Sequence, residues 1–112
     1  MRLAFTAKGK DWDSKMDPRF GRTDYIFLFD DESEEILVED NTDIQNAAHG
    51  AGPQTARKLF DLSPDVLITG NGPGGNASDV LKKAELKIFT GAQNMSVKEA
   101  YEAYKEGSLS AF

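Results

Sequence analysis

Cysteine is absent from all 112 residues, and histidine and tryptophan occur once each. Without thiols the chain has no disulfide, no thiolate nucleophile, no Cys-based zinc site and no four-thiolate iron–sulfur cage. With one histidine and no His-x-x-Glu arrangement, there is also no zinc or two-metal cage. No apolar run approaches the ~20 residues needed to span a bilayer. The opening MRLAFTAKGKDWD has an apolar stretch too short for a signal peptide, so a cytoplasmic location with no membrane partner is expected. Basic side chains are outnumbered, thirteen against nineteen acidic, and the net charge of −6 argues against nucleic acid as a partner. No serine stands in a Gly-x-Ser-x-Gly elbow. The inner strands RLAFTA and VLIT carry no carboxylates of the kind a nuclease needs for its metal ions. The expectation is a protein that is not an enzyme.

What is present reads as one α/β domain over residues 1–112. Leu3, Phe5 and Ala7 alternate with polar neighbours, predicting a strand over 2–7. YIFLFD (25–30) and EILVED (35–40) form a predicted hairpin. The seven acidic and no basic residues from Asp31 to Asp43 suit a solvated, charge-protected sheet edge. Pro53 fits the first position of a helix bearing Ala56, Leu59 and Phe60 on one face, with Pro64 ending it. VLIT (66–69) reads as a buried parallel strand. Asn76 is placed to cap a helix with Val80, Leu81 and Ala84 inside, and LKIFT (86–90) supplies a fifth strand. Ser96 and Glu99 form a capping box for a last helix with Val97, Ala100, Tyr101 and Tyr104 inside and Gly107 at its end. The order β-β-β-α-β-α-β-α predicts a mixed five-stranded sheet, 3-2-1-4-5, with strand 2 antiparallel.

In that topology the segments 8–24, 41–52, 70–76 and 91–94 emerge on one carboxyl edge, where open α/β sheets bind ligands. Gly70, Gly72 and Gly75 match G-x-G-x-x-G formally. However, the following strand ends in Phe89, Thr90 and Gly91, without the acidic residue that a dinucleotide ribose requires. What remains is a generic anion cradle of backbone N–H groups ahead of a helix, or a tight turn that needs glycine. Residues 8–24 carry a net charge of +1 against −7 for the rest, which favours a small anion there. Arg19 and Arg22 suit anionic oxygen or sulfide ligands, although Asp17 is expected to engage at least one of them and lock the loop. His49, just before a helix, has the chemistry of a metal ligand.

DPRFGR (17–22), HGAGPQTARKL (49–59) and TGNGPGGNA (69–77), in this order and spacing, resemble the dinitrogenase iron–molybdenum cofactor biosynthesis family of NifX-like and NafY-like carrier domains. The resemblance spans about residues 1 to 106. It implies a nitrogenase accessory factor-like domain with a ribonuclease H-like motif and no nuclease activity. It also implies a carrier that transiently binds iron–molybdenum cofactor or its iron–sulfur precursor and works with metallocluster assembly or acceptor proteins. By the same resemblance His49 is the metal ligand. The expected binding set is then Arg19, Arg22, His49, Gly50, Gly52, Asn71, Gly72, Gly74 and Asn76. The alternative is a small-anion or nucleotide-binding regulatory module using the same edge.

Overall fold

The computed structural model describes residues 1–45 and 50–112, the side chains of Gln45 and Asn76 excepted. Strands β1 (Arg2–Ala7), β2 (Tyr25–Asp30) and β3 (Ile36–Asp40) come first, followed by a single helical turn, α1 (Thr42–Gln45). Then come α2 (Ala51–Leu62), β4 (Val66–Ile68), α3 (Gly75–Lys82), β5 (Lys87–Thr90), α4 (Val97–Glu106) and β6 (Ser110–Ala111). The sheet runs β3-β2-β1-β4-β5-β6. β1 is antiparallel to β2, with Leu3 opposite Phe29, and parallel to β4, with Leu3 beside Val66.

The sheet separates two cores because strand side chains alternate between its faces. Leu3, Phe5, Ala7, Phe27, Phe29, Val66 and Ile68 meet Val97 and Ala100 of α4 on one side. Ala4, Ile26, Leu28 and Leu67 meet Ala56 and Leu59 of α2 and Ala77 and Leu81 of α3 on the other. Each fully buried Phe or Leu contributes about 1.5–3 kcal/mol relative to exposure.

Several expectations are corrected. The sheet has six strands rather than five. Gly107, in the left-handed region at φ 76°, ends α4 and lets the chain return, so that Ala111 and Ser110 pair with Phe89 and Thr90. A two-residue strand is too short to show alternation in the sequence. α1 interrupts the stretch 41–52, started by Asp40 Oδ1, which accepts from the Thr42 N–H at 2.8 Å and the Thr42 hydroxyl at 2.6 Å. α2 begins two residues before Pro53, which is tolerated in a first turn because the missing N–H would have had no intrahelical acceptor. Phe60 is 45% exposed, since the buried face of α2 follows Ala51, Thr55, Ala56 and Leu59. Gly74, not Asn76, is the N-cap of α3.

Candidate functional site

Residues 8–24 cross the top of the sheet from one core to the other. Met16 and Trp12 belong to the α4 side, where Trp12 stacks edge-on to Phe27 at 5.0 Å and Phe29 at 4.8 Å between ring centres. Phe20 plugs the opposite core. Asp17, fully buried, holds the crossing. Its Oδ1 accepts from the Arg19 N–H and Nε, both at 3.0 Å, and its Oδ2 accepts from Arg19 Nη2 at 2.9 Å and the Asp24 N–H at 3.2 Å. Hydrogen bonding to that carboxylate raises the Arg19 pKa further. Below the crossing, the Thr6 hydroxyl donates to the Asp17 carbonyl at 2.9 Å and meets the Thr69 hydroxyl at 2.8 Å. Arg19 is thus the arginine that Asp17 engages. Its side chain stays 49% exposed at the edge, and Arg22 is partly buried.

This strap pulls the other loops together. The Asn71 N–H donates to the Pro18 carbonyl at 2.9 Å, and the Gly91 N–H to the Gly70 carbonyl at 3.0 Å. A Cβ on Gly70 would stand 2.6 Å from Pro18 Cα, so only glycine allows that approach. A Cβ on Gly21 would stand 2.8 Å from Gly52 Cα, which sets the strap against the first turn of α2. The Thr55 hydroxyl donates to the Gly21 carbonyl at 2.7 Å and accepts from Asn41 Nδ2 at 3.0 Å, completing the seam.

α2, α3 and α4 each begin at this edge, and their N-termini are finished differently. At α4 the Val97 N–H donates to the Ser14 carbonyl at 2.9 Å and the Lys98 N–H to the Trp12 carbonyl at 3.0 Å. Ser96 and Glu99 close a full capping box there. By contrast, α2 is capped by Gly50 and α3 by Gly74, and neither N-cap makes a side-chain hydrogen bond. These two ends, open among the described residues, are neighbours: a Cβ on Gly52 would lie 3.5 Å from the Ala77 Cβ. Parallel helices with adjacent N-termini bring two positive dipole ends together, an arrangement that an anion relieves. At Gly74 and Gly75 a Cβ would meet nothing within 4 Å, so the rim beside α3 is open space.

Of the expected binding set, Arg19, Gly50, Gly52, Asn71, Gly72 and Gly74 lie along this edge, with Arg22 in the strap itself. Asn76 falls within the first turn of α3. His49 lies outside the described residues. Gly72 serves a purpose that the sequence did not disclose, because the Phe112 ring lies where a Cβ on Gly72 would be. Among the described residues, no group of three or more His, Cys, Asp or Glu side chains is placed to hold a metal ion. None of the described helices is long and apolar enough to cross a membrane.

A mixed α/β sheet flanked by helices, with helix N-termini gathered at its carboxyl edge, defines a domain of the open-sheet class, in which ligands generally bind at that edge. The chain belongs to the dinitrogenase iron-molybdenum cofactor family, whose model matches residues 1–107. Among solved structures it is similar to the apo form of the orange protein from Desulfovibrio gigas, at 31% identity over 99% of this chain and 92% of that one, with a TM-score of 0.92. A candidate NifB protein from Thermotoga is 35% identical over 98% of this chain and 91% of its own, with a TM-score of 0.84. The protein PH0822, at 21% identity over 100% of this chain and 96% of its own, shares the fold with a TM-score of 0.75. No curated protein matches the chain.

Proposed function

We propose that this chain is a non-enzymatic carrier holding an iron–sulfur–metal cluster as cargo, either iron–molybdenum cofactor or a precursor of it, for delivery between assembly proteins. The observation that carries the reading is the pair of helix N-termini with no side-chain cap among the described residues, α2 at Gly50 and α3 at Gly74, side by side while the N-terminus of α4 is fully capped. An anionic cluster would accept hydrogen bonds from the first-turn N–H groups of α2 and α3 and from the exposed flank of Arg19, with Arg22, Asn71, Gly72 and Asn76 on the rim. His49, one residue before the N-cap of α2 in sequence, supplies the single metal ligand in this reading. One imidazole and a set of N–H donors hold a preassembled anion without building it, which suits cargo that must leave again. The absence of cysteine requires that any cluster arrive assembled.

The test is anaerobic gel filtration of the protein with isolated iron–molybdenum cofactor or its iron–sulfur precursor, followed by cluster absorbance. Trp12 emission is a poor reporter, since that ring is packed among Phe27, Phe29 and Tyr101. Co-elution with wild type that is lost with His49→Ala supports the reading. It fails if neither compound co-elutes. Phosphate compounds that raise the melting temperature equally in wild type and His49→Ala would instead assign the edge to a regulatory anion site.

A further inference from the structure

β3 is the last strand at its end of the sheet, and its outer edge faces no strand among the described residues. The ladder parity shows which backbone groups it leaves open. The Asp30 N–H donates to the Glu35 carbonyl at 3.0 Å and the Asn41 N–H to the Asp24 carbonyl at 2.9 Å. Residues 35, 37, 39 and 41 therefore turn their N–H and C=O groups towards β2, while Ile36, Val38 and Asp40 turn theirs outward. The outward carbonyl of Asp40 receives Lys58 Nζ at 3.1 Å. The stretch open for pairing is thus Ile36 to Val38.

Both hydrophobic cores run out at this strand. Ile36 lies opposite Phe29 of the α4-side core and is 46% exposed; Leu37 lies opposite Leu28 of the other core and is 48% exposed. Protection of an edge by charge would be served by polar residues at both positions, so two exposed branched aliphatics on opposite faces need another account. An added strand would extend the α4-side core by one row beside Ile36 and Val38, with its alternate side chains on the face that carries Glu35, Leu37 and Glu39.

Charge selects the occupant. From Asp30 to Asp43 there are eight carboxylates and no basic side chain. Asp30 and Asp40 are held below the usual carboxylate range, Asp30 by the Glu32 and Ser33 N–H groups and Asp40 by the Thr42 hydroxyl and N–H. A second copy pairing through the same edge would set these acidic runs against one another, which is unfavourable across strands. We propose that the edge of β3 docks an extended segment of a partner protein in which Lys or Arg alternates with branched aliphatic residues, taken up as an additional strand at Ile36–Val38. The proposal stands on the edge alone and does not depend on the nature of the cargo.

The probe is a capped peptide of alternating lysine and valine, Lys-Val-Lys-Val-Lys-Val-Lys, titrated into isotope-labelled protein, with a peptide carrying Glu for Lys as counterpart. Strand addition predicts shifts and slowed exchange at the Ile36 and Val38 amides, with Leu37 and Glu39, already bonded to β2, changing little. Ile36→Pro removes an outward N–H while sparing the ladder to β2, a position where an edge strand tolerates proline. It should weaken the lysine peptide by about tenfold or more, and the Glu35→Lys/Glu39→Lys pair should do the same. The proposal is overturned if the lysine peptide gives no shifts, if the glutamate peptide binds as well, or if Ile36→Pro leaves binding unchanged, which would mean adsorption by charge only.

Discussion

Gly21 and Gly52 meet backbone to backbone, thirty-one residues apart in sequence, with room for no side chain between them. A Cβ on Gly21 would press on Gly52 Cα at 2.8 Å and on its nitrogen at 2.9 Å, and neither atom is the end of a flexible side chain. Gly21→Ala should therefore cost about 1–3 kcal/mol in urea denaturation. Gly75→Ala is the contrast, since its Cβ would meet nothing within 4 Å and it opens a helix. That change should stabilise by about 0.5–1 kcal/mol.

The Asp17 carboxylate holds the crossing strap through two bonds to backbone N–H groups and a two-pronged clamp on Arg19. Asp17→Ala leaves the Arg19 and Asp24 N–H groups without that acceptor and should cost about 2–4 kcal/mol. Arg19→Ala leaves the carboxylate its backbone donors, and Arg19 is half exposed. Its cost should be about 1 kcal/mol. Equal losses in the two variants, measured by denaturation, would contradict this division of roles.

The Phe112 ring seals the outer flank of the glycine loop at Gly72, anchored by the Phe112 N–H to the Ile88 carbonyl at 2.8 Å. Phe112→Ala should speed hydrogen exchange at Asn71 and Gly72 with a global stability change below about 1 kcal/mol, since the ring is 60% exposed. Gly72→Ala should reproduce that local loosening by displacing the ring. Unchanged exchange in both variants would remove Phe112 as a support of the loop.

At the start of α4, Glu99 accepts from the Ser96 N–H at 3.0 Å, and Ser96 bonds lower the Glu99 pKa. A depressed folded-state value makes the contribution complete above the unfolded glutamate range, and it is lost as pH falls through the lower folded value. Thermal melts from neutral to acid pH should show this loss in wild type and a reduced one in Glu99→Gln. Ser96→Ala should cost about 1 kcal/mol at neutral pH.

How far the sequence was legible follows the range of the forces involved. The Ser96/Glu99 box, the Gly107 stop, and the strands at 2–7 and 25–30 rest on neighbours within a few residues and are placed where their local patterns put them. The α2 and α3 starts lie two residues earlier than their local patterns place them, at glycine N-caps that have no side chain to signal them. Phe60 has helical spacing but lies off the face that α2 turns to the sheet, and spacing alone does not say how far the buried stripe extends.

By itself the sequence determined the alternation of strands and helices, the exclusion of cysteine chemistry, and the concentration of arginine and glycine in segments that follow strands. Those depend on side-chain size, charge and short-range hydrogen bonding. Tertiary structure alone decided that Arg19 is an arginine Asp17 engages, that the chain returns as β6 with Phe112 on Gly72, and that the N-terminus of α4 is filled while those of α2 and α3, among the described residues, stay open side by side. The Ser14 and Trp12 carbonyls that close α4 lie more than eighty residues from the N–H groups they accept. Such partners meet only once the sheet has formed, and no local pattern in the chain encodes their approach.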